Sequence, residues 1–159
     1  MGVFYAVTAP PSVTAFFYSK QTEGRWRNAM SKKYEARILV VDDQIEILNL
    51  LQLYLSECGY SIELAVNGYD AIDKLACGEY DLVLTDISMP GMCGNRLCDA
   101  IRQNHSMPVV AMSANPKSAT ARFDQVIGKP FLIGEVGTLI KLLLNPKADN
   151  VVSLRERGR

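Results

Sequence analysis

The sequence predicts an α/β fold built on a doubly wound, open parallel sheet. From Arg37 onward, short apolar runs alternate with amphipathic segments at helical spacing. The first run, Ile-Leu-Val-Val at 38–41, is continuously apolar, as is typical of strands buried on both faces of a parallel sheet. Gly59 and Gly78 each follow an amphipathic segment, where glycine commonly ends a helix. Five strands alternating with helices therefore favour a sheet with helices on both faces.

The predicted elements follow one another closely along the chain. We predict strands at 38–41, 61–65, 82–85, 109–112 and 125–127. We predict helices at 44–58, 69–77, 95–104 and 133–144, with a shortened fourth helix at 118–123, between the last two strands. The first helix should bury Ile47, Leu50, Leu51, Tyr54 and Cys58. The last helix should bury Val136, Leu139, Ile140 and Leu143.

The length of 159 residues suits one domain with tails, and we place the domain at 36–145. Residues 1–35 are interpreted as an irregular arm and residues 146–159 as a polar tail. Met30 closely precedes the first strand, so a native start at Met30 is a hypothesis. The first nineteen residues carry no charge, but two prolines interrupt them and no basic patch precedes them. We therefore expect no secretory signal and no membrane span.

The composition argues against two kinds of site. Basic and acidic residues balance at 17 each, which leaves no global positive field for nucleic acid. The single histidine, His105, and the absence of a Cys-x-x-Cys pair argue against zinc. His105 is interpreted as a solvated loop residue. We expect a cytoplasmic protein whose cysteines are buried thiols, namely Cys58, Cys77, Cys93 and Cys98.

Polar side chains stand at the carboxyl ends of the predicted strands, where open α/β sheets bind their ligands. They are Asp42, Asp43, Asp86, Ser113 and Lys129. Three converging carboxylates are unfavourable unless a cation neutralises them, and their hard oxygen atoms suit Mg²⁺. A carboxylate beside a divalent ion can attack phosphorus to form an aspartyl-phosphate, with the lysine and serine donating to the phosphoryl oxygens.

Each of these residues also has a structural explanation when it is considered alone. Asp43 can cap the first helix, because aspartate is favoured there. Asp86 can be an ordinary loop carboxylate and Lys129 a surface lysine at a turn. The prediction of a site therefore depends on their combination at consecutive strand ends.

Four sequence blocks resemble the signature blocks of the response-regulator receiver domain. They are Val-Val-Asp-Asp at 40–43, Asp-Ile-Ser-Met-Pro-Gly-Met at 86–92, Val-Val-Ala-Met-Ser-Ala at 109–114 and Lys-Pro-Phe at 129–131. Their order and strand placement also match, and the resemblance covers residues 36–145. It implies a flavodoxin-like, five-stranded parallel sheet of strand order 2-1-3-4-5.

The resemblance implies a role in phosphoryl transfer for several residues. Asp86 takes the phosphoacceptor position, and Ser113 and Lys129 would bond the phosphoryl oxygens. Ala114 matches the small residue that leaves the phosphorus open to attack. Ser88 and Asn115 stand where family members tune the lifetime of the phosphorylated state.

The resemblance also implies a Mg²⁺ site. Asp43, Asp86 and the backbone carbonyl of Ser88 would be direct ligands, and Asp42 would act mainly through water. The Lys129–Pro130 peptide bond would be cis.

The function implied is that of a single-domain receiver in a two-component phosphorelay. It would accept a phosphoryl group from a sensor histidine kinase or a histidine phosphotransfer protein. It would then signal to a downstream effector by conformational change. Such a protein catalyses only its own phosphorylation and dephosphorylation. Homodimerisation, common in the family, stays open, and no direct contact with nucleic acid or membrane is expected.

Two departures from the family pattern fall on its usual output face. Ile127 stands where receivers usually carry an aromatic residue, and the fourth helix is short. They keep open a pseudo-receiver that binds proteins without phosphate. A haloacid-dehalogenase-like phosphatase fits less well, because Asp42-Asp43-Gln44 is not an Asp-x-Asp motif.

Overall fold

The computed structural model describes residues 36–145, whose strands form one five-stranded parallel sheet. The strands are β1 (Arg37–Val41), β2 (Ser61–Ala65), β3 (Leu82–Asp86), β4 (Val109–Ser113) and β5 (Gln125–Gly128). The helices are α1 (Ile45–Glu57), α2 (Gly68–Cys77), α3 (Gly94–Asn104) and α4 (Ile133–Leu144), with a 3₁₀ helix at Pro116–Ser118. The arm expected at 1–35 and the tail expected at 146–159 lie outside the described residues.

The strand order is β2-β1-β3-β4-β5, which confirms the predicted flavodoxin-like sheet. All four pairings are parallel, so the carboxyl ends of the strands lie along one edge. In this register Asp86 is opposite Met112, and Ser113 is opposite Gly128. The register therefore brings the residues that follow β1, β3, β4 and β5 to the same edge of the sheet.

The sheet separates two hydrophobic clusters. Alternate residues of β1 enter different clusters, Ile38 and Val40 on one face and Leu39 and Val41 on the other. Helices α1 and α4 contribute to the first cluster, and α2 and α3 contribute to the second. Because both faces of the strand are covered, its continuous apolar run is explained.

The predicted buried face of α1 is wrong at two positions. Leu50 is 48% exposed and Cys58 is exposed, whereas Leu48 and Leu55 are fully buried together with Leu51. Apolar residues occur nearly all round this helix, so its sequence period does not single out one face. Packing against the sheet decides which face is inside.

The expectation of buried thiols holds for one cysteine. Cys98 is buried in α3, whereas Cys93 is partly exposed. Cys58 and Cys77 are exposed, because they stand at the carboxyl-terminal ends of α1 and α2, beyond the packed turns.

The segment between β4 and β5 is short, as predicted, but the helix predicted at 118–123 is not formed. A single 3₁₀ turn spans Pro116–Ser118. The amides of Thr120 and Ala121 donate to the side chain of Asn95, at 2.9 and 3.1 Å, so they are not available to a helical ladder. The side chains of Ala121 and Phe123 pack against the second cluster. Within residues 36–145, no helix is long and apolar enough to cross a membrane.

Candidate functional site

Asp42, Asp86 and Lys129 meet at the carboxyl edge of the sheet. Asp42 follows β1, Asp86 ends β3, and Lys129 follows β5. The Nζ atom of Lys129 lies 2.7 Å from Asp42 Oδ2 and 2.7 Å from Asp86 Oδ1. The ammonium therefore bridges two carboxylates that are almost completely removed from solvent, with exposures of 0% for Asp42 and 5% for Asp86.

Backbone amides hold the other oxygen of each carboxylate. The amide of Gln44 donates to Asp42 Oδ1 at 2.9 Å, and the amide of Ser88 donates to Asp86 Oδ2 at 2.5 Å. Each carboxylate is thus oriented by one amide and one ammonium. A carboxylate oxygen carries two lone pairs, so acceptor capacity remains for a further cation or donor.

Burial sets the electrostatic character of the site. It raises the pKa of the Asp42 carboxyl, and the hydrogen bond from Lys129 offsets that rise only in part. Burial alone would lower the pKa of Lys129, but the hydrogen bonds and charges of Asp42 and Asp86 raise it above the ordinary value. Lys129 therefore stays an ammonium. Two carboxylates share this one cation, which leaves an excess of negative charge that favours a further cation.

The convergence of three carboxylates is realised for only two of them. Asp43 is exposed, and Gln44 rather than Asp43 occupies the cap position of α1. Residues 36–145 contain no cluster of three acidic, cysteine or histidine side chains that could hold a metal. The expected three-carboxylate cluster is therefore not formed among these residues: Lys129 lies between Asp42 and Asp86, and Asp43 is exposed to solvent.

The donors present nevertheless fit Mg²⁺. This ion binds through one or two carboxylates and keeps several waters, so it does not need three protein side chains. Asp42 and Asp86 offer fixed carboxylate oxygens with lone pairs available, and the neighbouring Asp43 is accessible. The excess negative charge of the site favours the same kind of ion.

Ser113 is buried at the end of β4, and its hydroxyl is engaged with the segment that follows. It donates to the carbonyl of Asn115 at 2.9 Å and lies 3.1 Å from the hydroxyl of Ser118. It also accepts the amide of Asn115 at 3.0 Å. The carbonyl of Ser113 accepts the amide of Lys129 at 2.7 Å, which ties β4 to the lysine. Ala114 is exposed beside it.

The Lys129–Pro130 bond is cis, as the resemblance implied. The loop after Asp86 contains Gly91, whose φ of +76° lies in the left-handed region that favours glycine. That loop leads into α3, which begins at Gly94 against the backbone of Asp86.

Three residues around the site were not identified from the sequence. Gly94 permits α3 to approach the carbonyl of Asp86, and Asn95 binds the segment after β4. Ser118 contacts the Ser113 hydroxyl. No local signal distinguishes Asn95, because it and its partners are separated by more than twenty residues.

Comparisons with known proteins agree with this architecture. The family model of the response regulator receiver domain matches residues 38–141. The chain is 39% identical over 121 residues to the transcriptional regulatory protein ResD of Bacillus subtilis, covering 72% of this chain and 50% of that protein. It is 32% identical over 117 residues to the response regulator ArlR of Staphylococcus haemolyticus, covering 67% and 52%. The chain thus spans about half the length of these curated relatives.

Solved structures show the same fold. The response regulator TrrA of Thermotoga maritima, crystallised in complex with Mg²⁺-BeF, is 36% identical, with a TM-score of 0.64. The match covers 68% of this chain and 98% of that one. A two-component response regulator from Clostridium difficile is 28% identical, with a TM-score of 0.66, covering 70% and 97%. The chain belongs to the response regulator receiver domain family.

Proposed function

We propose that this chain is a phosphoacceptor receiver and that Asp86 is the residue phosphorylated. The observation that carries the proposal is the arrangement of Asp86 itself. Its carboxylate is buried at a strand end, oriented by the Ser88 amide and bridged by Lys129 to Asp42. Such a carboxylate has a defined direction of attack and a charged donor beside it.

In the transfer step, a carboxylate oxygen of Asp86 forms a bond to phosphorus while the phosphorus–nitrogen bond of a donor phosphohistidine breaks. The released imidazole takes up a proton from solvent. Lys129 donates to a phosphoryl oxygen, and the Ser113 hydroxyl turns to donate to another. The small Ala114 leaves the phosphorus accessible to water for the later hydrolysis of the aspartyl-phosphate, which releases inorganic phosphate and restores the Asp86 carboxylate.

Mg²⁺ would be held by Asp43, Asp86 and the Ser88 carbonyl, with Asp42 acting through water, and would supply positive charge to the phosphoryl oxygens. The complex of TrrA with Mg²⁺-BeF supports this part of the proposal.

The partners proposed are a sensor histidine kinase or histidine phosphotransfer protein and a downstream effector. We propose that residues 36–145 form the receiver, that it acts in the cytoplasm and that it catalyses only its own phosphorylation and dephosphorylation. Names such as transcriptional regulatory protein belong to relatives in which the matched region is only about half of the protein.

The test is to add Mg²⁺ and beryllofluoride, which mimics an aspartyl-phosphate, and to record amide NMR shifts. We expect shifts around Asp86, Ser113 and Lys129 that are lost in Asp86→Ala. Asp73→Ala, which removes an exposed carboxylate on α2, serves as the matched control and should respond like the wild type. No response in the folded wild-type protein would contradict the proposal.

A second candidate is a pseudo-receiver that binds a protein partner without phosphate. The observation that favours it is the altered segment between β4 and β5, where a 3₁₀ turn replaces a full helix. A partner that binds wild type and Asp86→Ala equally well, together with the absence of a beryllofluoride response, would support this candidate.

A further inference from the structure

The loop that follows Asp86 carries the backbone carbonyl of Ser88, which is proposed above as a Mg²⁺ ligand. The amide of Ser88 donates to Asp86 Oδ2 at 2.5 Å, and the amide of Gly94 donates to the carbonyl of Ile87 at 3.0 Å. Within residues 36–145, no hydrogen bond holds residues 89–92, which lie between these two bonds. Packing therefore has to hold this part of the loop.

The loop has two buried ends and an exposed tip. Met89 is 6% exposed, and Met92 is partly buried against the second hydrophobic cluster. Pro90 and Gly91, between them, are exposed. Gly91 adopts the left-handed conformation, with φ of +76°, so the chain reverses at this point. The tip is the part of the loop that the hydrophobic core supports least.

The first turn of α2 packs against this tip. A Cβ atom at Gly91 would lie 3.2 Å from Tyr69 Cε2 and 3.8 Å from Tyr69 Cδ2, so the edge of the ring covers Gly91. The neighbouring Gly68 faces Met92, because a Cβ atom there would lie 2.7 Å from Met92 Cγ and 2.9 Å from the Met92 carbonyl oxygen. Two consecutive residues of α2 thus contact two consecutive residues of the loop.

This turn of α2 is itself firmly held. Asn67 Oδ1 accepts the amide of Asp70 at 2.9 Å, and Asp70 Oδ2 accepts the amide of Val66 at 3.1 Å. The strand before it is joined to the site, because the amide of Asp42 donates to the carbonyl of Ala65 at 3.1 Å. The first turn of α2 is therefore a fixed support beside the loop.

The exposure of Tyr69 is consistent with a role outside the core. The side chain is 56% exposed, so its burial contributes less to the hydrophobic core than that of an internal residue. Its contact with the loop is made by ring carbon atoms, on a residue without a side chain. Tyr69 is thus placed to restrain the backbone of the loop.

We propose that Tyr69 is a positioning residue whose ring, by packing on Gly91, fixes the direction of the Ser88 carbonyl for Mg²⁺. This inference rests on the proposed function. Mg²⁺ demands nearly ideal octahedral geometry, with ligands at about 2.0–2.1 Å, so a displaced carbonyl binds it poorly. Without the ring the loop adopts additional conformations, and only the fraction that presents the carbonyl binds the ion.

The first measurement is amide hydrogen exchange in the absence of metal. In Tyr69→Ala, exchange at Ser88 and Gly94 should be at least threefold faster than in the wild type, because their hydrogen bonds close the loop. The amide of Ile87 donates to the carbonyl of Met112 at 3.1 Å and should be unaffected, since it belongs to the sheet. Tyr69→Phe keeps the ring and should exchange as the wild type does.

The second measurement is a Mg²⁺ titration followed by amide NMR shifts. Tyr69→Ala should raise the dissociation constant of Mg²⁺ at least threefold, and Tyr69→Phe should leave it within twofold of the wild type. The matched control is Leu53→Ala, which removes an apolar side chain of α1 that is 65% exposed and should leave Mg²⁺ binding unchanged. Circular dichroism verifies that all three variants are folded, as expected for substitutions of exposed residues.

The outcomes distinguish this inference from the function on which it rests. If the folded wild type binds Mg²⁺ and responds to beryllofluoride, but Tyr69→Ala binds Mg²⁺ equally tightly, the inference is wrong and the receiver function stands. It is also wrong if exchange at Ser88 is unchanged in Tyr69→Ala, or if Tyr69→Phe binds Mg²⁺ as weakly as Tyr69→Ala does. If the folded wild type binds no Mg²⁺, the proposed function fails and the inference fails with it.

Discussion

Replacing Gly94 with alanine should destabilise the domain more than the same replacement at Gly134 or Gly137. Gly94 is buried at the start of α3. An added Cβ would lie 2.2 Å from the carbonyl oxygen of Asp86, 2.9 Å from Ile87 Cα and 3.0 Å from the carbonyl carbon of Asp86. All three atoms belong to the backbone, so no side chain can rotate away to relieve the overlap.

The size of the effect follows from this geometry. Ordinary contact begins at 3.4 Å, so α3 and the end of β3 would have to separate by more than 1 Å. Overpacking of this kind typically costs 1–3 kcal/mol, and because the opposing atoms are backbone we expect about 3 kcal/mol. The better helix propensity of alanine would recover less than about 1 kcal/mol. For a domain of this size, a net loss of about 2 kcal/mol corresponds to a fall in Tm of roughly 8–16 °C.

The assay is thermal and urea unfolding followed by circular dichroism, with two matched substitutions in α4. At Gly134 the nearest atom to a new Cβ is the Tyr54 hydroxyl at 3.9 Å, so alanine should be neutral or stabilising by up to about 1 kcal/mol. At Gly137 the Tyr54 ring lies at 2.8 Å, but it is a side chain that can shift, so the effect should be intermediate.

A Tm for Gly94→Ala within about 3 °C of the wild type, which is less than about 1 kcal/mol for a domain of this size, would refute backbone overlap as the cause. An equal loss in Gly134→Ala would refute it as well, since both variants lose a glycine but only Gly94→Ala creates the backbone overlap. Because Asp86 itself would be displaced, Gly94→Ala should also weaken the beryllofluoride response.

Three further predictions concern stability. Asp42→Asn should raise the urea midpoint at neutral pH without Mg²⁺, because burial raises the pKa of Asp42 and so makes its carboxylate unfavourable in the folded state. As the pH rises from 3.8, the ordinary pKa of aspartate, through the raised pKa of Asp42 in the folded state, the wild type should lose stability, whereas the Asn variant should not. A urea midpoint at neutral pH that is lower for the variant than for the wild type would contradict this prediction. Asn67→Ala should cost about 1 kcal/mol in thermal unfolding, because Asn67 Oδ1 caps α2 by accepting the Asp70 amide at 2.9 Å, while Asn67→Asp should retain most of the stability. Burial and a hydrogen bond to Glu63 raise the pKa of Tyr80 to about 12, so the folded state keeps this proton longer than the unfolded chain does. Stability should therefore fall between pH 10 and 12, and a fall of the same size in Tyr80→Phe would show that other groups cause it.

The sequence was sufficient for features that depend on local pattern. Continuous apolar runs located the three inner strands, β1, β3 and β4, to within about two residues, because a strand covered on both faces must be apolar at successive positions. Gly59, with φ of +94°, ends α1 as predicted. Ile140 and Val136 are buried in α4, as their spacing indicated. The carboxyl-edge rule for parallel sheets also predicted that Asp42, Asp86 and Lys129 lie at one edge, where they form ion pairs.

The tertiary structure decided what depends on contacts between distant segments. The inward face of α1 was set by packing, since Leu48, Leu50 and Leu53 are equally apolar and only the first is buried. Lys129 was placed between the two carboxylates by the pairing of β5 with β4, which no local spacing encodes. The missing helix before β5 depends on Asn95, whose side chain takes the amides that a helix would need. Local sequence determines which backbone conformations are favourable, whereas these three features depend on which side chains and amides the folded chain brings into contact.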